Sequence, residues 1–566
     1  MEQQTIRIGK VYLVGAGPGD PGLLTLRARE LLAACDVVVH DALVTREVLA
    51  YACPAAERVY VGKRGSEHAL EQEQINALLA EKAAAGLRVV RLKGGDPYLF
   101  GRGAEEALYL VEKGVPVEVV PGVTAGVAAA ACAGIPVTHR ACASAVAFVT
   151  GHEDPVKPES ALDWAALAKV GTLCFYMGVK NLGRIAAELG KHLPATTPAA
   201  VIEWGSTARQ RTVVGTLDDI EARVRAAGLE APALTVVGEV VKFHGQLNFF
   251  EKRPLFGKRI VVTRARAQAS DLATVLAALG AEVHAFPTIR IEPPADRESF
   301  AAAVKHLSEY DWVVLTSVNG VDALMEEVAR EGLDARAFGG ARIAAIGPAT
   351  AARLAEQGLR ADLIPAKYVA EEVVAELRRA GAFKDCGLPN AERGLAGKQR
   401  KKGRGAGEKG RTESAEGGAA TEMPVEDAMA RAAREPGQKG APRFLLPRAD
   451  IARSLLPEQL RALGADVTEV VAYRTVPETE GQEEALALLT GGEVDAVTFT
   501  SSSTARNFVE ILGPKRLQEV LCSRRLRCFS IGPVTSATMK ELGLPLHGEA
   551  AEHDIPGLVR MLREKA

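Results

Sequence analysis

The segment Val11–Asp20, VYLVGAGPGD, joins an apolar run to a glycine-rich loop, and Val89–Gly103, VVRLKGGDPYLFGRG, repeats that arrangement. Each apolar run has the length of a buried strand, and each loop precedes a helical pattern. Glycine lets a ligand approach the backbone of such loops closely, and Asp20 and Asp96 offer fixed acceptors. Two such loops predict a cleft for a polar, nucleoside-like ligand. The alternative is a pair of ordinary tight turns in an α/β sheet.

The composition is that of a globular protein and argues against several classes. The 566 residues are 47% hydrophobic and 25% charged with a formal net charge of -2, so a basic face for nucleic acid is not expected. The N-terminus lacks the apolar core of a secretory signal, and the longest apolar stretch, Ala125–Val137, is too short to span a bilayer. The cysteines form no CxxC pair and the histidines no HxxxH or HExxH spacing. We therefore expect a cytoplasmic protein without a metal, a membrane or a nucleic-acid partner.

Strands and helices alternate along the first part of the chain. Strand patterns such as Val11–Val14 and Val37–Val39 are separated by helical patterns. This βαβ rhythm predicts a parallel sheet covered on both faces, with its ligand at the carboxyl ends of the strands. The pattern changes after Gly151. The first half is therefore expected to comprise two lobes, at about residues 1–150 and 151–252.

The second half contains a short internal sequence repeat. Leu315-Thr316-Ser317 is followed by Ile346–Thr350, IGPAT, and Phe499-Thr500-Ser501 is followed at nearly the same spacing by Ile531–Thr535, IGPVT. Such a repeat predicts two similar lobes. Residues 385–441, approximately, are rich in charge, glycine and alanine without an apolar period, so we expect a disordered insert there.

Four motifs of the first half, GAGPGDPGLLTLRA, GGDPYLFGRG, PGVTAG and GIPVTHR, resemble the tetrapyrrole methylase family, and within it the uroporphyrinogen-III C-methyltransferases. The resemblance covers roughly residues 8–252 and implies a two-lobed methylase fold for residues 1–252. It implies transfer of two methyl groups from S-adenosylmethionine to uroporphyrinogen III, giving precorrin-2 for siroheme or cobalamin synthesis. Methylases of this type commonly form homodimers, so the resemblance implies one here.

The same resemblance implies roles for individual residues. Asp41 matches a proton acceptor and Lys63 a proton donor, whereas their chemistry alone is more typical of a turn or helix-cap carboxylate and of a surface charge. Residues of the S-adenosylmethionine pocket would be Pro18, Gly94, Gly95, Asp96, Leu99, Thr124, Ala125, Met177 and Gly205. By itself, Met177 is more typical of a core residue. Cations in or beside the motifs are candidates for binding the anionic substrate: Arg91, Lys93, Arg102, His139 and Arg140.

Shorter motifs of the second half, VVTRARAQ, LLPRADIA, YRT and IGPVT, resemble uroporphyrinogen-III synthase. The resemblance implies a bilobal fold with parallel sheets over residues 257–566, which would cyclise hydroxymethylbilane to uroporphyrinogen III. Lobe one would comprise residues 257–288 plus 475–566, and lobe two residues 292–471.

The resemblance of the second half also suggests site residues. Tyr473 matches a side chain that would assist departure of the substrate hydroxyl, and the alternative is a hinge tyrosine that packs between the lobes. Ser501 and Thr535 are weaker candidates for substrate binding, since hydroxyl residues at strand ends commonly cap helices.

Two other functions have to be weighed. One is a monofunctional methyltransferase whose second half is a bilobal tetrapyrrole-binding module without catalysis. The other is a nicotinamide or flavin oxidoreductase. The oxidoreductase is disfavoured, because Asp20 stands where a GxGxxG motif places its third glycine.

Overall fold

The computed structural model describes residues 9–62, 70–152, 161–263, 266–366, 370–383, 441–450, 454–478, 481–523 and 525–566. Two predictions, Lys63 as a catalytic residue and the insert at about 385–441, lie outside the described residues, apart from residue 441. The chain forms two compact units. Unit 1 is Met1–Thr288 with Thr479–Ala566, and unit 2 is Ile289–Glu478.

The described strands form four five-stranded sheets. The first sheet, in the order β3-β2-β4-β1-β5, contains β1 (Lys10–Gly15), β2 (Val37–His40), β3 (Glu57–Tyr60), β4 (Arg88–Lys93) and β5 (Val117–Val120). The second, in the order β6-β7-β10-β8-β9, contains β6 (Val146–Thr150), β7 (Thr172–Tyr176), β8 (Pro198–Glu203), β9 (Arg211–Thr216) and β10 (Ala233–Val237). The third, in the order β12-β11-β18-β19-β20, contains β11 (Arg259–Val262), β12 (Glu282–Ala285), β18 (Ala496–Phe499), β19 (Arg527–Ser530) and β20 (Gly548–Glu549). The fourth, in the order β13-β17-β16-β14-β15, contains β13 (Ile289–Glu292), β14 (Trp312–Leu315), β15 (Arg342–Ala345), β16 (Arg443–Ala449) and β17 (Asp466–Pro477).

Helices connect and cover these sheets. Those of the first two sheets are α1 (Leu26–Ala34), α2 (Arg46–Leu49), α3 (Gln72–Ala84), α4 (Gly103–Glu112), α5 (Ala125–Cys132), α6 (Trp164–Leu167), α7 (Leu182–Gly190), α8 (Ile220–Ala227) and α9 (His244–Leu247). Those that follow are α10 (Arg266–Ala278), α11 (Arg297–Lys305), α12 (Val318–Arg330), α13 (Pro348–Glu356), α14 (Ala370–Arg379), α15 (Leu455–Ala462), α16 (Glu483–Thr490), α17 (Ser502–Leu521), α18 (Pro533–Glu541) and α19 (Ile555–Lys565). Single 3₁₀ turns lie at Pro21–Leu23, Val179–Asn181, Glu239–Phe243, Leu307–Glu309 and Ala335–Phe338. Among the described helices, none has the length and apolar character needed to cross a membrane.

The first sheet is parallel throughout, as the βαβ rhythm predicts. Its strands are nearly continuous apolar runs, because α1 packs on one face, and α3 and α4 pack on the other. Parallel pairing aligns Gly15 of β1 with Lys93 of β4, so the two glycine-rich loops leave the sheet at one edge. The predicted α/β class is confirmed.

The second sheet is mixed and accepts a helix from the first. β6 and β7 pair in parallel, whereas β7, β10, β8 and β9 pair antiparallel in that order. Helix α5, which follows β5 of the first sheet, packs Ala129 and Ala130 against the buried Ile202 and Val236 of the second sheet. The N-terminus of α5 therefore lies where the loops of the first sheet meet strands of the second.

The third sheet is parallel throughout, and the fourth is parallel except at one edge. There β13 pairs antiparallel with the end of β17, with Ile289 opposite Pro477. This pair differs from the parallel sheet that the resemblance implies. The reason is that β13 is where the chain enters unit 2 and the end of β17 is where it leaves, so the two segments run in opposite directions.

Candidate active site

The loops after β1 and β4 are joined by backbone hydrogen bonds. Gly17 and Gly95 exchange N–H···O bonds of 3.2 and 2.7 Å, and the N–H of Ala16 donates to the carbonyl of Lys93 at 2.7 Å. The two loops identified from the sequence therefore form one surface at the carboxyl edge of the first sheet. This is more than the two independent tight turns of the alternative interpretation.

Glycines bring three backbone segments together beneath this surface. A Cβ built on Gly122, in the loop after β5, would lie 2.1 Å from the carbonyl oxygen of Gly95 and 2.7 Å from Cα of Gly15. Gly95 itself differs, because the nearest atom to its own Cβ position is Cα of Thr124 at 3.9 Å. With φ at +68°, Gly95 thus turns a bare Cα toward open space that a ligand can fill.

The carboxylate of Asp96 ties these loops to each other. Its two oxygens accept hydrogen bonds from the backbone N–H of Tyr98 at 2.8 Å and of Gly122 at 3.0 Å. Asp96 therefore orders the loop after β4 and holds the loop after β5. A carboxylate oxygen has further lone pairs, so its contact with the methyl donor stays a prediction.

Tyr176, at the end of β7, contacts residues of the candidate site and was not predicted from the sequence. Its hydroxyl lies 2.6 Å from Oγ1 of Thr124 and accepts the backbone N–H of Gly126 at 2.7 Å. Thr124 makes no capping bond at the start of α5, so the phenol takes the place of a cap there. Burial raises the pKa of Tyr176 above the usual range of a phenol. A tyrosine directly before Met177 at a strand end was the available signal.

Tyr176→Phe is expected to weaken binding of S-adenosylhomocysteine by roughly 3- to 10-fold and to cost about 1–3 kcal/mol of stability. The reason is that a buried N–H at the start of α5 loses its acceptor. Calorimetric titration and thermal unfolding measure the two effects. Tyr51→Phe, at a tyrosine that is 38% exposed, is the matched control. If both variants behave alike, the phenol does not cap α5.

Backbone strain concentrates around the same residues. Among the described residues, positive φ outside glycine occurs at Phe100, Arg102, Met177, Trp204 and Ser206. Each lies within two residues of a residue predicted for the donor or substrate site, or is one itself. Such conformations cost free energy and persist where the surrounding structure holds them, which is common at functional sites.

Met177 and Gly205 stand at the ends of β7 and β8 in the second sheet. Met177 is 52% exposed, so the core interpretation that its sequence context favours is wrong. A Cβ on Gly205 would lie 2.3 Å from Cβ of Ala129 in α5, so glycine permits the close approach of this loop to the helix. Leu99 and Pro18 are half-buried in the loops after β4 and β1.

Asp41 follows β2 directly, at the same edge of the first sheet. One oxygen of its half-buried carboxylate accepts the N–H of Leu43 at 3.1 Å, and the other lies 3.6 Å from Nη2 of Arg91. The carboxylate is thus oriented by two neighbours and retains exposed surface. The role of Asp41 as proton acceptor stays a prediction.

The five predicted substrate cations differ in their surroundings. Arg91 and Lys93 are 4% exposed and pair with a carboxylate inside the protein, so the structure gives both an internal partner. Arg102 is exposed and pairs with Glu105 at 2.6 Å. His139 and Arg140 lie after α5. His139 is half-buried against Phe243, and Arg140 is exposed. Substrate contact by any of the five stays a prediction.

In unit 2, Tyr473 lies in the apolar core. It is 7% exposed, and its hydroxyl is 3.0 Å from Oγ of Ser317, which accepts the N–H of Gly320 at the start of α12. Ser317 belongs to the first copy of the internal sequence repeat, but its contact with Tyr473 was not predicted. Ser317 follows the carboxyl end of β14, and Tyr473 lies toward the end of β17.

In unit 1, Ser501 and Thr535 occupy the starts of two helices. Oγ of Ser501 accepts the N–H of Thr504 at 3.2 Å, so it caps α17, which is the alternative foreseen for it. Thr535 is 4% exposed in the first turn of α18. Substrate binding by these two residues stays a prediction.

The described residues hold no group of three or more His, Cys, Asp and Glu side chains arranged to bind a metal ion. The expectation of a metal-free enzyme stays a prediction.

Comparison with known proteins identifies both halves. The Tetrapyrrole (Corrin/Porphyrin) Methylases match residues 10–221, and Uroporphyrinogen-III synthase HemD matches residues 270–396 and 420–560. The porphyrin biosynthesis protein HemD of Ruminiclostridium josui is 40% identical over 363 residues, which are 63% of this chain and 71% of that protein. The S-adenosyl-L-methionine-dependent uroporphyrinogen III methyltransferase of Methanosarcina barkeri is 55% identical over 238 residues, 42% of this chain and 93% of that protein.

Among solved structures, the uroporphyrin-III C-methyl transferase from Thermus thermophilus, complexed with S-adenyl homocysteine, is 45% identical. It covers 41% of this chain and 99% of its own, with a TM-score of 0.36. The two matches along the sequence agree with the two resemblances found in the motifs. The chain belongs to the tetrapyrrole methylases and carries a uroporphyrinogen-III synthase domain behind the methylase domain, the combination of a bifunctional enzyme of tetrapyrrole biosynthesis.

Proposed function

We propose that the second half cyclises hydroxymethylbilane to uroporphyrinogen III and that the first half transfers two methyl groups to it from S-adenosylmethionine, giving precorrin-2. The observation that carries the methylase assignment is the joined surface of the loops after β1, β4 and β5, open in front of Gly95. We further propose a homodimer in the cytoplasm, without a metal, a membrane or a nucleic-acid partner. Domain boundaries near residues 252 and 257 belong to the same proposal.

The residues present fit S-adenosylmethionine. Open space in front of Gly95, the exposed Met177 and the half-buried Leu99 offer an apolar and backbone-lined surface to an adenosyl group. The other residues that would hold the donor are Pro18, Gly94, Asp96, Thr124, Ala125 and Gly205. When bound, the donor supplies an electrophilic methyl group on sulfur.

The protein has three tasks in such a transfer. It aligns the nucleophilic ring carbon with the methyl group, excludes water, and accepts the proton that the ring system loses. The Asp41 carboxylate is suited to the last task, because Leu43 and Arg91 orient it while part of it stays exposed. Arg140 is exposed, and the exposed Arg102 would exchange its pairing with Glu105 for a substrate carboxylate.

For the cyclisation, the substrate hydroxyl takes up a proton and leaves as water, and a pyrrole nitrogen stabilises the carbocation that remains. The macrocycle then closes with inversion of the terminal ring and loss of a proton, so water is the net product released. Tyr473 would assist the departing hydroxyl by donating a hydrogen bond. Ser317, 3.0 Å from the phenol, holds it in place. Because the substrate ionises with little help, catalysis would rest mainly on holding a productive conformation.

Tyr473→Phe is expected to lower the rate of uroporphyrinogen III formation by about tenfold, which is below the usual contribution of a positioned acid because the substrate ionises with little help. Ser317→Ala should also lower this rate, because the phenol of Tyr473 loses its hydrogen-bond partner. Initial rates with hydroxymethylbilane measure both. Tyr310→Phe, at another buried tyrosine of unit 2, controls for packing. Equal rates for the Tyr473 and Tyr310 variants would assign Tyr473 to packing alone.

An anaerobic incubation with hydroxymethylbilane tests the proposed function as a whole. Products are separated by chromatography and mass, with and without S-adenosylmethionine. We expect uroporphyrinogen III without the donor and a dimethylated product with it. If only added uroporphyrinogen III is methylated, and hydroxymethylbilane closes to the non-inverted isomer, the second half is a binding module without catalysis.

A further inference from the structure

We propose that Glu106 is a positioning residue for methyl transfer. Through Arg91 it holds the Asp41 carboxylate, and through Lys93 it closes the glycine-rich loop after β4. The inference rests on the proposed methyltransferase function. It assigns to Glu106 a role that neither the motifs nor the site residues inferred from them include.

Glu106 lies in the first turn of α4 and has no exposed surface. One carboxylate oxygen, Oε1, accepts from Nζ of Lys93 at 2.8 Å, Nε2 of Gln72 at 3.1 Å and Nε of Arg91 at 3.3 Å. The other oxygen, Oε2, is buried without a partner among the described residues. A buried carboxylate is costly unless it is paired, so the two cations account for its presence there.

The pairing with Lys93 closes a loop. Lys93 ends β4, the loop runs through Gly94, Gly95 and Asp96, and α4 begins at Gly103. The Lys93–Glu106 bond therefore joins the two ends of the segment that carries four of the residues predicted to hold the methyl donor. Loss of this bond would leave the loop anchored chiefly by Asp96 and by the bonds between Gly17 and Gly95.

The pairing with Arg91 reaches the other side of the site. Residues 91 and 93 are two apart on β4, so their side chains leave the same face of the sheet. The Arg91 guanidinium bonds to Glu106 through Nε and lies 3.6 Å from Asp41 through Nη2. Its Nη1 donates to the carbonyls of Val39 at 3.4 Å and Leu92 at 3.3 Å. Arg91 is thus held at several points and presents one nitrogen to Asp41.

The charges of this cluster balance. Arg91 and Lys93 are the cations, and Glu106 and Asp41 are the anions, with only Asp41 partly exposed. Burial, followed by the nearby Arg91 charge, lowers the pKa of Lys93, while Glu106 opposes this shift. Without the charge of Glu106, the two buried cations would remain, and Asp41 would be the one anion left in the cluster.

The first test is Glu106→Gln, which keeps the size of the side chain and removes its charge. We expect single-turnover methyl transfer to fall about 10- to 100-fold, comparable to the loss of a group that orients a metal ligand. Glu106→Asp, which keeps the charge, should recover part of the rate that Glu106→Gln loses. Glu112→Gln, at an exposed position of the same helix, should match the wild type.

Two further variants separate the two connections. Arg91→Lys keeps the charge but cannot reach Glu106 and Asp41 together, so methyl transfer should fall while S-adenosylhomocysteine binding stays within about threefold. Lys93→Met should instead weaken S-adenosylhomocysteine binding by about tenfold. Calorimetric titration with S-adenosylhomocysteine measures binding, and it shows as well that each variant is folded.

The outcomes distinguish this inference from the proposed function. If the wild-type protein does not transfer methyl groups, the proposed function is wrong, and so is the role of Glu106 in holding Asp41. The role of Glu106 in closing the loop after β4 is then tested by the Lys93→Met titration alone. If the wild type is active, and Glu106→Asp is as slow as Glu106→Gln, the charge of Glu106 does not position Asp41 and Glu106 has only a structural role. If Glu106→Gln behaves like Glu112→Gln, the inference is wrong.

Discussion

Replacing Asp41 with asparagine is expected to lower the rate of methyl transfer by about 10²- to 10⁴-fold, the range typical of a positioned general base. The amide keeps the size of the side chain and an oxygen for the N–H of Leu43, but it cannot take up a proton. S-adenosylhomocysteine binding should change by less than about twofold, because none of the hydrogen bonds that join the loops after β1, β4 and β5 involves Asp41. Single-turnover formation of the monomethylated product measures the rate, and calorimetry measures the binding.

A matched control is Asp218→Asn, at an exposed aspartate of the second lobe. Its rate and its affinity should equal those of the wild type. An Asp41→Asn protein that methylates at the wild-type rate would remove Asp41 from the proton-transfer step. A protein that loses both binding and rate would show instead that Asp41 supports the loops, as the cap interpretation of its sequence context has it.

Gly122→Ala is expected to weaken S-adenosylhomocysteine binding at least tenfold and to destabilise the protein by about 1–3 kcal/mol, the usual cost of overpacking. The new Cβ would lie 2.1 Å from the carbonyl oxygen of Gly95 and 2.7 Å from Cα of Gly15. Both neighbours are backbone atoms, so no side chain can move aside. The loops after β1, β4 and β5 would have to separate, and their joined surface carries the proposed donor site.

Gly190→Ala is the control for Gly122→Ala. Gly190 ends α7, and nothing lies within 4 Å of the position of an added Cβ. Alanine there should leave binding unchanged and should not lower the stability, since it favours the helix over the unfolded chain. Thermal unfolding and calorimetric titration apply to both variants. Wild-type binding by Gly122→Ala would mean that the three loops need not stay joined to hold the donor.

Much of the fold could be predicted because it depends on local patterns. Apolar runs of strand length and helical patterns between them determine a parallel sheet, and a parallel sheet places the loops after its strands at one edge. The loop residues Gly17 and Gly95 were identified on that basis, and they bond to each other in the structure. The internal sequence repeat likewise places Ser317 and Ser501 at corresponding positions, and each serine caps the start of the helix that follows it.

Exposure and pairing could not be predicted in the same way. Met177 follows a buried strand and reads as core, yet it is exposed because its backbone turns at positive φ. Arg91 and Lys93 are predicted from the sequence as cations for the anionic substrate, yet both are buried and pair with Glu106 of α4. The sequence does not show which residue a charged side chain pairs with, because the partner lies on another helix or strand.

The sequence by itself determined the α/β class, the order of the two domains and the edge of the sheet at which the chemistry is expected. These properties follow from the period of apolar residues and from motifs that are continuous in the chain. Only the tertiary structure decided that Tyr176 caps α5, that Ser317 meets Tyr473 and that Glu106 joins Lys93 to Arg91. The first two of these contacts join residues 50 and 156 positions apart. Such contacts depend on how helices and strands pack, and packing is a property of the whole core rather than of any one segment.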